Sequence, residues 1–186
     1  MKHIKKMTAV ILTVLLLCGA VSAPAEGFTN EGAIRFGTYT NGNFSCTIPN
    51  GFRIDRYNSS DRSVSFSGPA DVNGFSNSIR ISIQDRQYDL SSITESAEQS
   101  RVYDILGGYN MICVADVNAA IGSVPCKKLA YLYDRSDDDR AAIYYAIYFN
   151  IGSKGVKIIY YGYTATRTVP NDLPEFESIV TNAVFR

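Results

Sequence analysis

Four carboxylates crowd into six residues at Asp134, Asp137, Asp138 and Asp139, interrupted by Arg135 and Ser136. Hard cations such as calcium take several oxygen ligands at once, so this run is a candidate calcium site. Its spacing is not that of an EF-hand loop, and no glycine stands where such a loop turns. The competing reading is a solvated hairpin tip whose charges keep neighbouring strands from pairing with other chains. Eight of the 13 tyrosines fall between Tyr131 and Tyr163. Strand alternation places Tyr131 and Tyr133 on one face, Tyr144 and Tyr148 on one face, and Tyr161 and Tyr163 on one face. Such a set offers an aromatic surface for a protein, peptide or glycan, because tyrosine combines apolar area with a hydroxyl. The plainer alternative is that tyrosine suits strands and lies under a covering helix.

Catalytic chemistry has few supports. The only histidine, His3, lies in an N-terminal leader, which removes the usual neutral-pH base and the Ser-His and Cys-His pairs from the chain that follows. Carboxylate pairs remain on paper, Asp85 with Asp89 or Glu95 with Glu98, and nothing in the sequence sets them at a working separation. Lys127, Lys128, Lys154 and Lys157 belong to no Ser-x-x-Lys run, and Gly107-Gly108 and Gly152-Ser-Lys-Gly155 are turn signals, not phosphate loops. Cys46, Cys113 and Cys126 are an odd set with no Cys-x-x-Cys spacing. A Cys113–Cys126 disulfide between neighbouring strands is one reading; three buried small hydrophobes is the other. No cofactor is implied.

The elements that must position these residues are mostly strands. Phe44–Ile48 alternates before a Pro49-Asn-Gly51 turn, and Ile79, Ile81 and Ile83 line one face of a strand with Arg80 and Ser82 opposite. Ser92 and Glu95 have capping-box spacing for a helix to about Leu106 that stops at Gly107-Gly108. Two hairpins follow. Met111–Val117 and Val124–Tyr133 flank a turn near Ala120-Ile-Gly122, and Ala141–Ile151 and Lys154–Thr166 flank Gly152-Ser153. A final amphipathic helix is expected from an Asn171 or Asp172 cap, with Leu173, Phe176, Ile179, Val180, Ala183 and Val184 on one face.

Upstream, Lys2, Lys5 and Lys6 precede the apolar run Thr8–Leu17, followed by small residues. This is the pattern of a secretory leader, 1–25, cut after Ala25. The run is half the length of a spanning helix, so membrane attachment is expected only if the leader stays uncut. Lipidation at Cys18 is disfavoured by Leu16-Leu17 before it. The chain from Glu26 keeps 15 of 18 Lys and Arg and all 18 Asp and Glu, a formal charge of −3. That charge, without a basic run, argues against nucleic acid as a partner. Residues 26–32 read as a loose lead-in and 33–186 as one domain.

The order of elements, with Phe44-Ser-Cys-Thr-Ile-Pro-Asn-Gly-Phe52, Phe66-Ser-Gly-Pro69 before Ile-x-Ile-x-Ile, and Phe176-x-x-Ile179-Val180 at the end, resembles the PsbP-like superfamily. The resemblance covers most of Phe44–Arg186. It implies an α+β fold, an antiparallel sheet of about six or more strands with helices packed on its faces, an α/β/α sandwich. It also implies binding or assembly in a bacterial cell envelope, with no catalytic or metal residues to carry over. The expectation is therefore a secreted, non-catalytic binding protein for an unidentified protein, peptide or glycan. A histidine-free hydrolase using a carboxylate pair is the alternative.

Overall fold

The computed structural model describes residues 28, 30–70, 74–106, 111–134, 141–164 and 174–185. The leader, Gly107-Gly108, Asp137, Asp138, Asp139 and the Asn171 or Asp172 cap lie outside the described residues.

Eleven strands among these residues form two antiparallel sheets. The smaller joins β1 (Ala33–Arg35), β2 (Thr38–Asn41), β3 (Phe44–Thr47) and β11 (Val184–Phe185), in that order. The larger runs β4 (Arg53–Asn58), β5 (Ser63–Ala70), β6 (Ser76–Gln84), β10 (Lys154–Thr164), β9 (Ala141–Ile151), β8 (Val124–Asp134) and β7 (Met111–Ile121). A 3₁₀ turn (Leu90–Ser92) and helix α1 (Glu95–Leu106) join β6 to β7, and helix α2 (Pro174–Thr181) precedes β11. One sheet was expected, and two are present. Local alternation identifies a strand without saying which strand it pairs with.

The hairpins match their turn residues. Gly122 and Gly152 open two-residue loops with φ of 60° and 56°, which an L side chain adopts only at a cost. Strand β9 is buried along Ala141–Phe149 and shows no polar alternation, because its two faces feed two different cores. Ile143, Tyr145, Ile147 and Phe149 join Val64, Phe66, the three isoleucines of β6, Phe44 of the small sheet and Phe176, Ile179 and Val180 of α2. Tyr144, Ala146 and Tyr148 pack on the other side with Leu129, Tyr131, Ile93 and Val102 of α1.

Helix α1 starts later than its spacing predicts. Ser92 lies in the 3₁₀ turn capped by Asp89, whose Oδ1 accepts from Ser91 N at 3.1 Å. Thr94 caps α1, its Oγ1 accepting from Ala97 N at 3.4 Å. Glu95 N donates to Asp116 Oδ2 of β7 at 2.9 Å, so a strand supplies an acceptor for the helix N-terminus. Helix α2 also ends early. Asn182 Nδ2 donates to Ser178 O at 2.8 Å, and the chain leaves to pair Phe185 with Phe44. Val184, expected on the buried helix face, is exposed in β11.

The 26–32 segment is a second correction, since part of it is core. Phe28 is 6% exposed, with its ring centroid 5.4 Å from Phe44 and 6.0 Å from Tyr39. Tyr57 Oη donates to Phe28 O at 3.2 Å. Apolar contact with the small sheet outweighs the polar, glycine-containing surroundings that read as a loose end. Phe28→Ala is expected to lower unfolding stability by about 3 kcal/mol in a denaturant titration. An unchanged midpoint would mean that the segment is not part of the core.

Candidate functional site

The large sheet's face beneath α1 carries most of the polar groups. The strand registers align Asn58, Ser63, Ser82, Lys157, Tyr148, Lys127 and Asn118 in one row across it. Lys157 and Glu98 of α1 meet in the covered half, both buried. Lys157 Nζ lies 3.0 Å from Glu98 Oε2, and Arg101 Nη1 lies 3.3 Å from Glu98 Oε1. The ammonium also sits 4.7 Å from the centroid of the Tyr148 ring, a cation–π position. Burial works to raise the Glu98 carboxyl. The Tyr148 hydroxyl, the Lys157 ammonium and Arg101 outweigh it and hold that carboxyl below its ordinary value. Burial pulls Lys157 down, opposed by Glu98 and reinforced by Arg101 and Arg80. Among the described residues the hydroxyl of Tyr144 is buried without a partner within hydrogen-bonding reach.

The tyrosines are only partly where a binding surface needs them. Tyr131, Tyr144 and Tyr148 are buried. Tyr131 Oη donates to Glu95 O at 3.2 Å, and Tyr148 meets Tyr88 edge-on at 5.2 Å. These three are core residues, which corrects their place in an aromatic surface: alternation assigned their side, and α1 and the segment around Tyr88 and Leu90 cover that side. Tyr133, Tyr161 and Tyr163 are half-buried. The last two stack in sequence with Phe75, at 5.8 Å between Tyr161 and Tyr163 and 5.0 Å between Phe75 and Tyr163.

The paired carboxylates are separately engaged. Asp85 binds Lys154 at 2.7 Å and also Arg62, which together hold its carboxyl low. Asp89 caps the 3₁₀ turn, and Glu98 holds Lys157. Asp134 ends β8 opposite Ala141. No group of three or more His, Cys, Asp or Glu is placed to hold a metal among the described residues.

The Cys113–Cys126 disulfide is corrected too, since Cys46, Cys113 and Cys126 are all free thiols. The Gly122-Ser123 turn sets Cys126 opposite Ala119, whereas Cys113 pairs with Tyr131. Cys126 joins the core on the small-sheet side and Cys113 packs on the α1 side, so their side chains leave opposite faces.

The other half of this face, over β4, β5 and β6, is open. A cavity of about 380 Å³ lies there, floored by Ser63 and Ser65 and walled by Asp55, Arg56, Asp61 and Arg80. Arg80 Nη2 donates to Asp61 Oδ2 at 2.9 Å and to Ser63 Oγ at 3.1 Å. Asn58 Nδ2 donates to the same Asp61 oxygen at 2.9 Å. None of these wall residues stood out as a site in the sequence. The available signal was the alternation Ser63-Val-Ser-Phe-Ser67 and Ile79-Arg-Ile81, which marks a polar face without saying whether a helix covers it.

The chain is similar to several solved structures. The solution structure of cyanobacterial PsbP (CyanoP) from Synechocystis matches at 13% identity and a TM-score of 0.53, over 89% of this chain and 99% of that one. The fold is PsbP-like. A Bacteroides thetaiotaomicron protein matches at 14% identity and a TM-score of 0.49, over 86% of this chain. The chain spans about half of that protein, 49% of its length. LpqN of Mycobacterium tuberculosis, described as involved in cell envelope biogenesis, matches at 13% identity and a TM-score of 0.44, over 76% of this chain and 82% of that one. No protein-family model and no curated protein matches the sequence.

Two outcomes follow from these buried groups. Glu98, held low, adds stability above the ordinary carboxylate range and loses it as pH falls through its lowered value. Lys157, also lowered, destabilises while charged, and that cost fades as pH rises toward the ordinary lysine range. Lys157→Met should cost about 3 kcal/mol by leaving the buried Glu98 carboxylate with only the exposed Arg101 as a cationic partner. It should also make the variant gain stability relative to wild type as pH falls toward the ordinary carboxylate range, because Glu98 without the ammonium takes up a proton before the paired Glu98 does. Parallel stability–pH curves for the two proteins would contradict the pairing.

The thiols supply the second outcome. Burial, with the charges of Glu95 and Asp116, pushes Cys113 up to about 11, and burial raises Cys46 and Cys126. Alkylation of folded protein at about pH 8 should reach Cys113 slowly and the other two only after unfolding. Equal rates at all three would rule this out.

Proposed function

We propose that this chain is exported through its 1–25 leader, cut after Ala25, and works outside the cytoplasm as a non-catalytic binding or assembly domain of a cell envelope. The leader supports export. No helix among the described residues is long and apolar enough to cross a membrane. The observation that carries the binding reading is the division of the sheet face into two halves. Beneath α1 the ionisable groups neutralise one another, Lys157 with Glu98 and Lys127 with Asp116. Over β4–β6 the charged wall is open to solvent, and Arg56 and Asp55 have no ion-pair partner among the described residues. Groups locked in pairs serve the fold, and groups held apart over a concave surface are available to a ligand. The helices are then covers for the two faces of one domain, 33–186, and not walls of an active site.

The protein recovered from its native host should begin at Glu26 by intact-mass measurement and be found outside the cytoplasm. Recovery from the cytoplasm with residues 1–25 still attached would sink the proposal.

A further inference from the structure

The open basin has a specific construction. Arg56 on β4 pairs with Ser65 on β5, which pairs with Arg80 on β6, so the three residues share one row. Neighbouring strands lie about 4.8 Å apart, which separates the two arginine backbones by about 10 Å with a serine hydroxyl between them. Arg80 is already oriented. Its hydrogen bonds to Asp61 and Ser63 both use Nη2, and its Nε and Nη1 edge is not committed by them.

A register shift between Ile54 and Arg56 adds the other wall. In a regular strand Asp55 and Arg56 would leave opposite faces, but at this bulge both line the same cavity. The result is a pair of guanidinium groups over a hydroxyl floor with two carboxylates in the wall, Asp55 and the Asp61 that holds Arg80. Paired guanidinium donors fit an oxyanion, to which they give charge-assisted hydrogen bonds. Asp55 opposes a second negative charge in the same space.

We infer that this basin is a binding site for a singly charged oxyanion, a carboxylate or the phosphate of a diester, held between Arg56 and Arg80 over Ser65. The inference rests on the binding reading above and names the chemistry of its ligand. Carboxylates are carried by acidic sugars and peptide ends, and phosphodiesters by lipid headgroups and phosphate polymers. The shared feature is one delocalised negative charge. A dianion is disfavoured by Asp55 and Asp61, and a neutral sugar leaves the Arg56 guanidinium without a counter-charge, since Arg80 is already paired with Asp61.

The test is a titration of the exported protein followed through the arginine Nε–H signals by NMR. The probes are D-glucuronate, dimethyl phosphate, inorganic phosphate and D-glucose. Glucuronate or dimethyl phosphate should shift the Arg56 and Arg80 signals saturably, and whichever saturates at lower concentration identifies the carboxylate or the diester as the source. Glucose should leave both signals in place. Arg56→Gln, an exposed change outside the core, should weaken the preferred probe about tenfold. Asp55→Asn should tighten inorganic phosphate more than it tightens glucuronate. Three results would overturn the inference: no saturable shift from either monoanion up to about 50 mM, an equal response to glucose, or full binding by Arg56→Gln. Any of these, in protein that still begins at Glu26 and lies outside the cytoplasm, removes the site and leaves the broader binding reading standing.

Discussion

A strand buried on both faces requires two covers, and most of this structure meets that requirement for β9. Its residues Ala141–Phe149 are buried without interruption, and successive side chains enter separate cores. On one side the cover comes from the small sheet and from Phe176, Ile179 and Val180 of α2. On the other it comes from Ile93 and Val102 with the aromatic residues around Tyr88. Close approach is built in where the covering chain crosses the sheet. A Cβ at Gly155 would stand 2.7 Å from the Tyr88 ring and 2.8 Å from Arg86 O. Tyr88 and Asn150 also exchange two hydrogen bonds, of 2.8 Å and 3.0 Å. A glycine and an amide thus hold the segment that leads into α1.

The two cores are built differently. The small-sheet side is apolar and aromatic, and its ionic contact is at the margin, where Lys128 and Tyr145 meet Glu177 of α2. The α1 side places charge inside. A buried ion pair adds little net stability, because desolvation offsets the attraction, but losing one partner is costly. Lys157 therefore restricts where α1 can rest, since a displaced helix leaves the ammonium buried and alone. Asp116 works at the other end of the contact, taking the Glu95 N–H and the Lys127 ammonium together.

The outer strands of the large sheet show a second constraint. Both β4 and β7 carry a register shift, between Ile54 and Arg56 and between Cys113 and Ala115. Bulges at edges twist the strand and interrupt its row of unpaired amide groups, which discourages pairing with other chains. On β7, Ile112, Val114 and Val117 remain exposed beside the shift. On β4 the same device turns Asp55 and Arg56 to one cavity, so an edge protection also shapes the open basin.

By itself the sequence determined what short-range physics controls. The Gly122 and Gly152 turns, the alternation of Ile79, Ile81 and Ile83, and the stripe of Phe176, Ile179 and Val180 follow from dihedral freedom and from periods of 2 and 3.6 residues. The same rules put Tyr144 and Tyr148 on one side of β9 and Tyr145 on the other. Even the separation of Cys113 from Cys126 was available in principle, since a turn at Gly122-Ser123 sets Cys126 against Ala119. Only the tertiary structure decided what lies over each side. It buried Tyr131, Tyr144 and Tyr148, left Arg56 and Arg80 open on the same face, drew Phe28 into the core and separated β1–β3 and β11 into a second sheet. Which way a side chain points is set by its own backbone. Whether it meets a helix, a strand or water depends on residues far away in the chain, and no local pattern records them.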